Sequence, residues 1–511
     1  MRLWPTFLLL SSLTVFLGCA DSQECESADC GNSASSEEVT ETGAADPELI
    51  DEEPDSESGE ESICDETYED RTVGLQSCAE GMQAGYTLFA PTRSTSTFLI
   101  DAWGEQVHSW QSTYNPGLSV YLEDDGSLLR ATTVPRTAHG AHFDAGGLGG
   151  RVEQVNWDSE LVWSFQYAST EHIAHHDIER LPNGNILMIA FEVKSEAEAI
   201  AAGRAPNLIT DGEVWPDHII EVQPVGVDGG EIVWEWHFWD HMVQDFDETK
   251  DNFGVVADHP ELMDINYVGD GRRAGGADWL HVNSIDYNAQ LGQILLSVHN
   301  TNEILVIDHN TTTEEAAGPA GDILYRWGNP AAYGRGGPGE QLLFVQHDAH
   351  WIPEGLPGAG NILIFNNGGG RDGGDYTTIE EIVPPSDSAG SYAELSGDAH
   401  GPQVAIWQYG ADDNERFYSR NISGSQRLNN GNTLICDGPA GRFIEVQEDG
   451  TLVWEYINPV INSGIVVQGE SIPVGQNGQS NTVFRATRIS PENPALSGRD
   501  LTPSGYIEGS P

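Results

Sequence analysis

Positive charge is scarce in this chain: 22 Lys and Arg stand against 81 Asp and Glu in 511 residues, a formal net charge of −59. Such a surface repels nucleic acid, which is excluded as a partner, and suits a saline or cation-rich medium. Cysteine is scarce too, at six, and none of the six has metal-site spacing with histidine. The one long apolar run, Leu3 to Leu17, is too short to span a membrane. No phosphate loop, dinucleotide fingerprint or Gly-x-Ser-x-Gly elbow stands out, which disfavours nucleotide-dependent and serine-hydrolase chemistry. No histidine follows His400.

What is present begins with an export pattern. Arg2, the apolar run and Gly18-Cys19 read as a signal peptide over 1–18, ending in a lipoprotein-like cleavage site. Cys19 is then the candidate lipid anchor and the protein is expected outside the cytoplasm, in the periplasm or on the cell surface, with the membrane involved only through that anchor. Ordinary cleavage nearby is the alternative. Between Asp21 and Asp70 there are 20 Asp or Glu and no Lys or Arg, so residues 19–82 are expected to be a disordered acidic tether. Cys25 with Cys30, or Cys64 with Cys78, would close small loops in an oxidising compartment. Cys436, inside an apolar strand, reads as a buried residue.

The rest, 83–511, is built on a repeat. Leu181-Pro-Asn-Gly-Asn-Ile-Leu187 followed by a strand ending Val233-Trp234-Glu-Trp236 returns as Leu428-Asn-Asn-Gly-Asn432-Thr-Leu-Ile435 followed by Leu452-Val-Trp454-Glu-Tyr456. Weaker copies end at Trp110, Trp163, Trp327 and Trp407, giving six strand-final tryptophans spaced by 47 to 93 residues. Short β-branched runs separated by Asn-Gly, Asp-Gly or Gly-Asn turns are hairpins that cannot bury both faces alone; radial stacking of four-stranded units solves this. The fold predicted is all-β, a six-bladed β-propeller whose tryptophans pack between blades. Ser480–Ile489, an alternating segment past the last full unit, is expected to complete the first blade and close the ring. Residues 192–216, 238–279 and 371–400 read as insertions on one face, where function usually sits.

Histidines cluster just before the innermost strand of successive units, in His175-His176-Asp177, His281-Val-Asn-Ser284 and Gln346-His347-Asp348-Ala-His350. Alignment on the Gly-Asn-Ile-Leu cores equates His176 with His350. Pre-strand positions face the central channel, so these side chains are expected to converge on one axis. Arg371, closing Asn366-Asn-Gly-Gly-Gly-Arg371, carries a planar fork of donors suited to sulfate or phosphate, and the glycines beside it let an anion approach backbone N–H groups. Taken singly, each histidine is as readily structural as catalytic, and Arg371 as readily a loop ion pair.

At these motifs the chain resembles the arylsulfotransferase family, over about residues 84 to 490: His281-Val-Asn-Ser-Ile285, Gln346-His347, Asn366 to Arg371, and Phe417-Tyr418-Ser419. The resemblance implies a secreted six-bladed propeller that moves a sulfuryl group from an aryl sulfate to a phenol without a nucleotide cofactor, and no cofactor is expected. It also implies sulfate-binding and acid/base roles for His281, His347 and Arg371, to which blade equivalence adds His176 and His350. One departure stands out: the family's nucleophilic histidine precedes a Tyr-Ser pair, and here Asp413 to Phe417 contains none. The expected substitute is His347 or His350, oriented by Asp348, with Trp279 and Trp351 as apolar walls for an aryl ring. Two other readings remain: a non-catalytic propeller that binds an anion or carbohydrate, and a histidine-ligated metal site. The Asp- and Gly-rich stretches at 269–271 and 369–375 match no EF-hand pattern and read as turns.

Overall fold

The computed structural model describes residues 70–509 except 141, 270–275, 394–395, 413–415 and 476–477, and places Glu66–Thr67 in a strand. The expected signal peptide, Cys19, the tether as far as residue 65 with Cys25, Cys30 and Cys64, residues 270–271 and the 413–415 part of the histidine-free stretch lie outside the described residues.

Six antiparallel sheets stand in a ring as a six-bladed propeller. Blade 1 joins Val483–Ile489 to Tyr86–Pro91, Ser96–Ile100 and Gln106–Gln111, so the terminal strand completes the first blade as expected. Blade 2 is Pro116–Leu122, Leu128–Thr133, Gly150–Val155 and Leu161–Gln166, and blade 3 is His172–Arg180, Ile186–Glu192, Asp217–Val225 and Gly229–His237. Blade 4 is Val282–Asn288, Gln293–Val298, Glu303–Asp308 and Tyr325–Trp327; blade 5 is His347–Trp351, Ile362–Asn366, Thr378–Ile382 and Trp407–Tyr409. Blade 6, Gly424–Arg427, Thr433–Asp437, Arg442–Val446 and Leu452–Ile457, gains an outer strand, Gly74–Cys78, paired to Leu452–Ile457. The boundary expected at 82/83 therefore sits after a strand that already belongs to the propeller. Cys78 is disulfide-bonded, and Cys436 is free and buried, as its strand context suggested.

The repeated Asn-Gly-Asn phrase does two things. Its first Asn folds the turn: Asn183 Oδ1 accepts from Asn185 N at 2.9 Å, and Asn430 Oδ1 from Asn432 N at 3.0 Å. Its second Asn, with Asn361 in blade 5, reaches across the blade to a third-strand carboxylate, in the pairs Asn185–Glu221, Asn361–Glu381 and Asn432–Glu445. Two of those carboxylates also meet an arginine from the innermost strand of the next blade, Arg427 on Glu381 at 2.7 Å and Arg488 on Glu445 at 3.2 Å.

The strand-final tryptophans connect blades through their indole N–H. Trp163, Trp327, Trp407 and Trp454 donate to the carbonyls of Gly229, Pro402, Glu448 and Ala102, and Trp234 to the Thr311 hydroxyl, at 2.7 to 3.3 Å. Each acceptor lies between the third and fourth strands of the following blade or, for Gly229, at the first residue of the fourth. Trp110 departs from this pattern; it packs edge-on against Trp157 of blade 2, centroids 5.2 Å apart.

The first two insertions meet on one face: Trp215 N donates to Ala277 O and Ala277 N to Asp211. The third does not exist as one loop. Thr378–Ile382 is the third strand of blade 5, so 367–377 joins strands two and three on the same face as the other insertions, whereas 383–406 joins strands three and four on the opposite one.

Trp454 is fully buried, whereas Trp407 is only partly so. Trp454→Ala should therefore lower the unfolding free energy by about 3–5 kcal/mol, and Trp407→Ala by clearly less, as read from denaturant midpoints.

Candidate active site

The innermost strands are irregular at the height where the histidines sit. Pairing to the second strand breaks between Ala174 and Ile178 in blade 3, Val282 and Ser284 in blade 4, and His347 and His350 in blade 5. His176, His281 and Asp348 take left-handed φ values of 53°, 57° and 50°. A bulge re-aims side chains that a regular strand would send to alternate faces.

Five histidines result in one continuous patch. Ring centroids run from His175 to His176 at 5.1 Å, His176 to His281 at 4.6 Å, His281 to His299 at 5.3 Å and His299 to His347 at 5.4 Å. His175 Nε2 lies 3.0 Å from Asp217 Oδ1, and its Nδ1 is 2.8 Å from His176 Nδ1. Asp217 also accepts from His281 N and Val282 N, both at 3.1 Å. His281 Nδ1 is 2.7 Å from Asp278 Oδ2. Gly147, at φ 72°, packs against the His176 ring, where a Cβ would overlap it.

His347 is held on both nitrogens. Asn367 gives its Nδ2 to the carbonyls of Ser419 and Ile422, so its Oδ1 faces His347 Nδ1 at 2.8 Å and that nitrogen carries the proton. His347 Nε2 then accepts from Ile422 N at 3.2 Å. Ser419 of the Phe-Tyr-Ser motif thus braces the histidine bracket. Asn283 and Gln346 are likewise staples: Asn283 Nδ2 donates to Gln346 O at 2.7 Å, and Gln346 Nε2 to Glu303 O at 2.8 Å.

Arg371 stands at the end of the loop that starts at Asn367. Its Nη2 meets Thr378 Oγ1 at 2.5 Å and lies 3.5 Å from Glu380, its guanidinium stacks on Tyr376 at 4.5 Å, and its buried Nε finds no acceptor among the described residues. No hydrogen bond joins it to the histidines.

Beneath the patch lies a second layer. Arg485, from the closing strand, reaches Asp177 Oδ2 at 2.7 Å, Asp348 Oδ1 at 2.8 Å and the Tyr121 hydroxyl at 3.0 Å, bridging blades 1, 2, 3 and 5. Gly424 of blade 6 passes so close that a Cβ would overlap the Asp348 carboxylate. His350 falls below this layer. It pairs with Leu363 as Glu179 pairs with Leu187, each partner being the Leu of the Asn-Ile-Leu phrase, so it corresponds to Glu179 rather than to His176. The error in alignment came from counting back to Ile352, which terminates the strand, as though it matched Ile178 inside one.

Trp279 and Trp351 do not wall this site; both are buried in hydrophobic clusters of the core. Phe191 stacks on His175 at 3.7 Å and is itself buried with Phe143 and Trp215 in a further hydrophobic cluster, so it backs the histidine ring from the core side. Sequence reasoning missed His299, Arg485, Asp217 and Asp278. His299 carried a readable signal, since it directly follows the second strand of blade 4 as Asn367 directly follows the second strand of blade 5. The two aspartates carry none.

Burial, and then the neighbouring histidines, depress His175, His176 and His347 well below the usual imidazole pKa, and His299 to about 4. Burial, and then Asp278, push Asp217 well up. Burial opposes the Arg485 charge, but Asp177 and Asp348 more than restore it. Among the described residues no group of three His, Cys, Asp or Glu has the geometry to hold a metal ion.

The fold and this site define a class: a propeller whose channel is lined at one end by hydrogen-bonded histidines, with long insertions on the same face. The arylsulfotransferase family model matches residues 150–458, more than half of the chain, and the chain belongs to that family. It is 24% identical over 392 residues to arylsulfate sulfotransferase AssT of Escherichia coli O6:H1, the alignment covering 68% of this chain and 58% of that protein. Among solved structures, a protein of unknown function from Bacteroides caccae matches at TM-score 0.41 and 12% identity, covering 79% of this chain and 98% of that one. The Myceliophteria thermophila Cps50 (Swd1) β-propeller domain matches at TM-score 0.38 and 10% identity, covering 76% and 90%.

A histidine with a depressed folded pKa binds its proton more readily when unfolded, so stability falls as pH drops from the unfolded value, about 6.5, towards the folded one. For His299 that window runs down to about 4. The melting temperature should decline over it, and His299→Gln should make the decline shallower in pH-resolved thermal melts.

Proposed function

We propose that this protein is an exported arylsulfotransferase that moves a sulfuryl group from an aryl sulfate to a phenolic acceptor without a nucleotide, anchored to a membrane through Cys19. The observation that carries the reading is the patch of histidines from blades 3, 4 and 5, together with an arginine on the loop that begins at Asn367, the partner of His347, whose Nε has no acceptor among the described residues.

The transfer asks for three things: charge neutralisation on the sulfuryl oxygens, a proton for the leaving aryl oxygen, and a site for the proton of the acceptor phenol. Arg371 supplies the first through its guanidinium, the unsatisfied Nε included. His281 handles protons, its Nδ1 held by the Asp278 carboxylate so that the ring is oriented as a general acid/base. His347 positions rather than reacts, because both of its nitrogens are engaged.

The test is release of p-nitrophenol from p-nitrophenyl sulfate by the purified chain, with and without added phenol. Release should depend on the phenol. Arg371→Ala and His281→Ala should each reduce it by about a hundredfold, whereas His350→Ala, below the Arg485 layer, should stay near wild type. No release with any acceptor would leave a propeller that only binds. Because a chain of net charge −59 repels an anionic donor, kcat/KM for the aryl sulfate should rise as ionic strength goes from about 0.01 to about 0.15 M, where the screening length falls from ~30 to ~8 Å.

A further inference from the structure

We propose that His299 is the sulfuryl carrier of a two-step transfer, its Nε2 taking the group from the donor and passing it to the acceptor; this rests on the arylsulfotransferase reading above. The nucleophile must be an imidazole nitrogen with a bare lone pair, reachable from outside. The hydrogen bonds sort the candidates. His347 Nε2 is capped by the Ile422 N–H. His175 faces His176 through one nitrogen and Asp217 through the other, and His175 and His176 are each only 2% exposed. His350 lies in the layer below, against Asp348 and beside Asp286.

His299 meets every condition. It sits on the tight turn His299–Thr301 that follows the second strand of blade 4, and it is half-buried rather than sealed. Asn300 fixes its tautomer: Asn300 Nδ2 donates to Asp278 O at 3.0 Å, which turns Asn300 Oδ1 towards His299 Nδ1 at 2.8 Å. An amide oxygen can only accept, so the imidazole proton is on Nδ1 and the lone pair is on Nε2. That nitrogen has no hydrogen-bond partner among the described residues. Its ring lies between His281 and His347, at 5.3 and 5.4 Å. The arrangement at His347 is the same, an Asn-fixed Nδ1–H, except that there a backbone N–H occupies Nε2. Burial also keeps His299 unprotonated down to about pH 4, which makes it a poor proton acceptor for a phenol but leaves a neutral nucleophile available at any physiological pH.

In the first step the Nε2 lone pair forms an N–S bond as the S–O bond to the aryl group breaks, and the aryl oxygen departs with the electron pair. In the second, the acceptor phenol oxygen attacks sulfur, the N–S bond breaks, and the lone pair returns to Nε2. The acceptor's proton replaces the one taken up by the departing phenolate, so the enzyme is unchanged. Nδ1–H stays on Asn300 throughout.

The full chain is incubated with p-nitrophenyl sulfate in the absence of a phenol, digested at alkaline pH and analysed by mass spectrometry. The expected result is one SO₃ on the peptide containing His299. His299→Gln should lose the label and roughly a thousandfold or more in transfer while keeping the wild-type far-ultraviolet spectrum, and His299→Ala should regain transfer when imidazole is added, which a purely structural role would not produce. Label on another histidine, or transfer that survives in His299→Gln, overturns the assignment but leaves the sulfotransferase reading intact. No transfer by the wild type from any aryl sulfate overturns both.

Discussion

An indole N–H reaching into the next blade is the contact on which the rest of this molecule depends. A propeller has no central core; each blade touches its two neighbours, and the height of one innermost strand relative to the next is set by what crosses between them. Five tryptophans place a fixed donor against an acceptor before, or at the start of, the fourth strand of the following blade. The arginines on Glu381 and Glu445 repeat the connection nearer the axis. A buried donor left unpaired costs about 1–3 kcal/mol, so slippage between blades is penalised several times over around the ring. With the offset fixed, bulges in three adjacent blades deliver their histidines to one level.

That level is chemically separate from the one below. Above, the imidazoles are neutral because they are buried and crowd one another. Below, one arginine is held between two aspartates from blades 3 and 5. The same residue type therefore has different meanings two or three positions apart along a strand: His347 belongs to the upper layer and His350 to the lower. The acidity of the chain does not enter the upper layer as free carboxylate, since Asp217 and Asp278 are turned onto histidines or backbone N–H groups. An anionic group can thus approach the site once the field of the outer surface is screened.

Much of the fold was legible because propeller repeats are local. The Asn-Gly-Asn turns, the strand-final tryptophans and the closing strand Val483–Ile489 all follow from periodicity and turn chemistry, which the neighbours in sequence dictate. The resemblance in motif already pointed to the family, whereas His176 and His347 reach the patch from bulges inside their innermost strands and only His281 from a pre-strand position. The third insertion was misjudged because Thr378–Ile382 is flanked by loops as polar and glycine-rich as the loops themselves, so the strand has no contrast in sequence.

The sequence by itself determined the blade count, the closure of the ring and the histidine types that line the channel, since each depends on residues within one repeat. Only the tertiary structure decided which nitrogen of which histidine is free. That depends on partners such as Asn367 and Ile422 for His347, or Asp278 behind Asn300 for His299, drawn from different loops and brought within hydrogen-bond reach solely by the bulges and the blade offset. A hydrogen bond acts over about 3 Å, and no spacing along the chain encodes a distance of that kind between segments that meet only when the ring has closed.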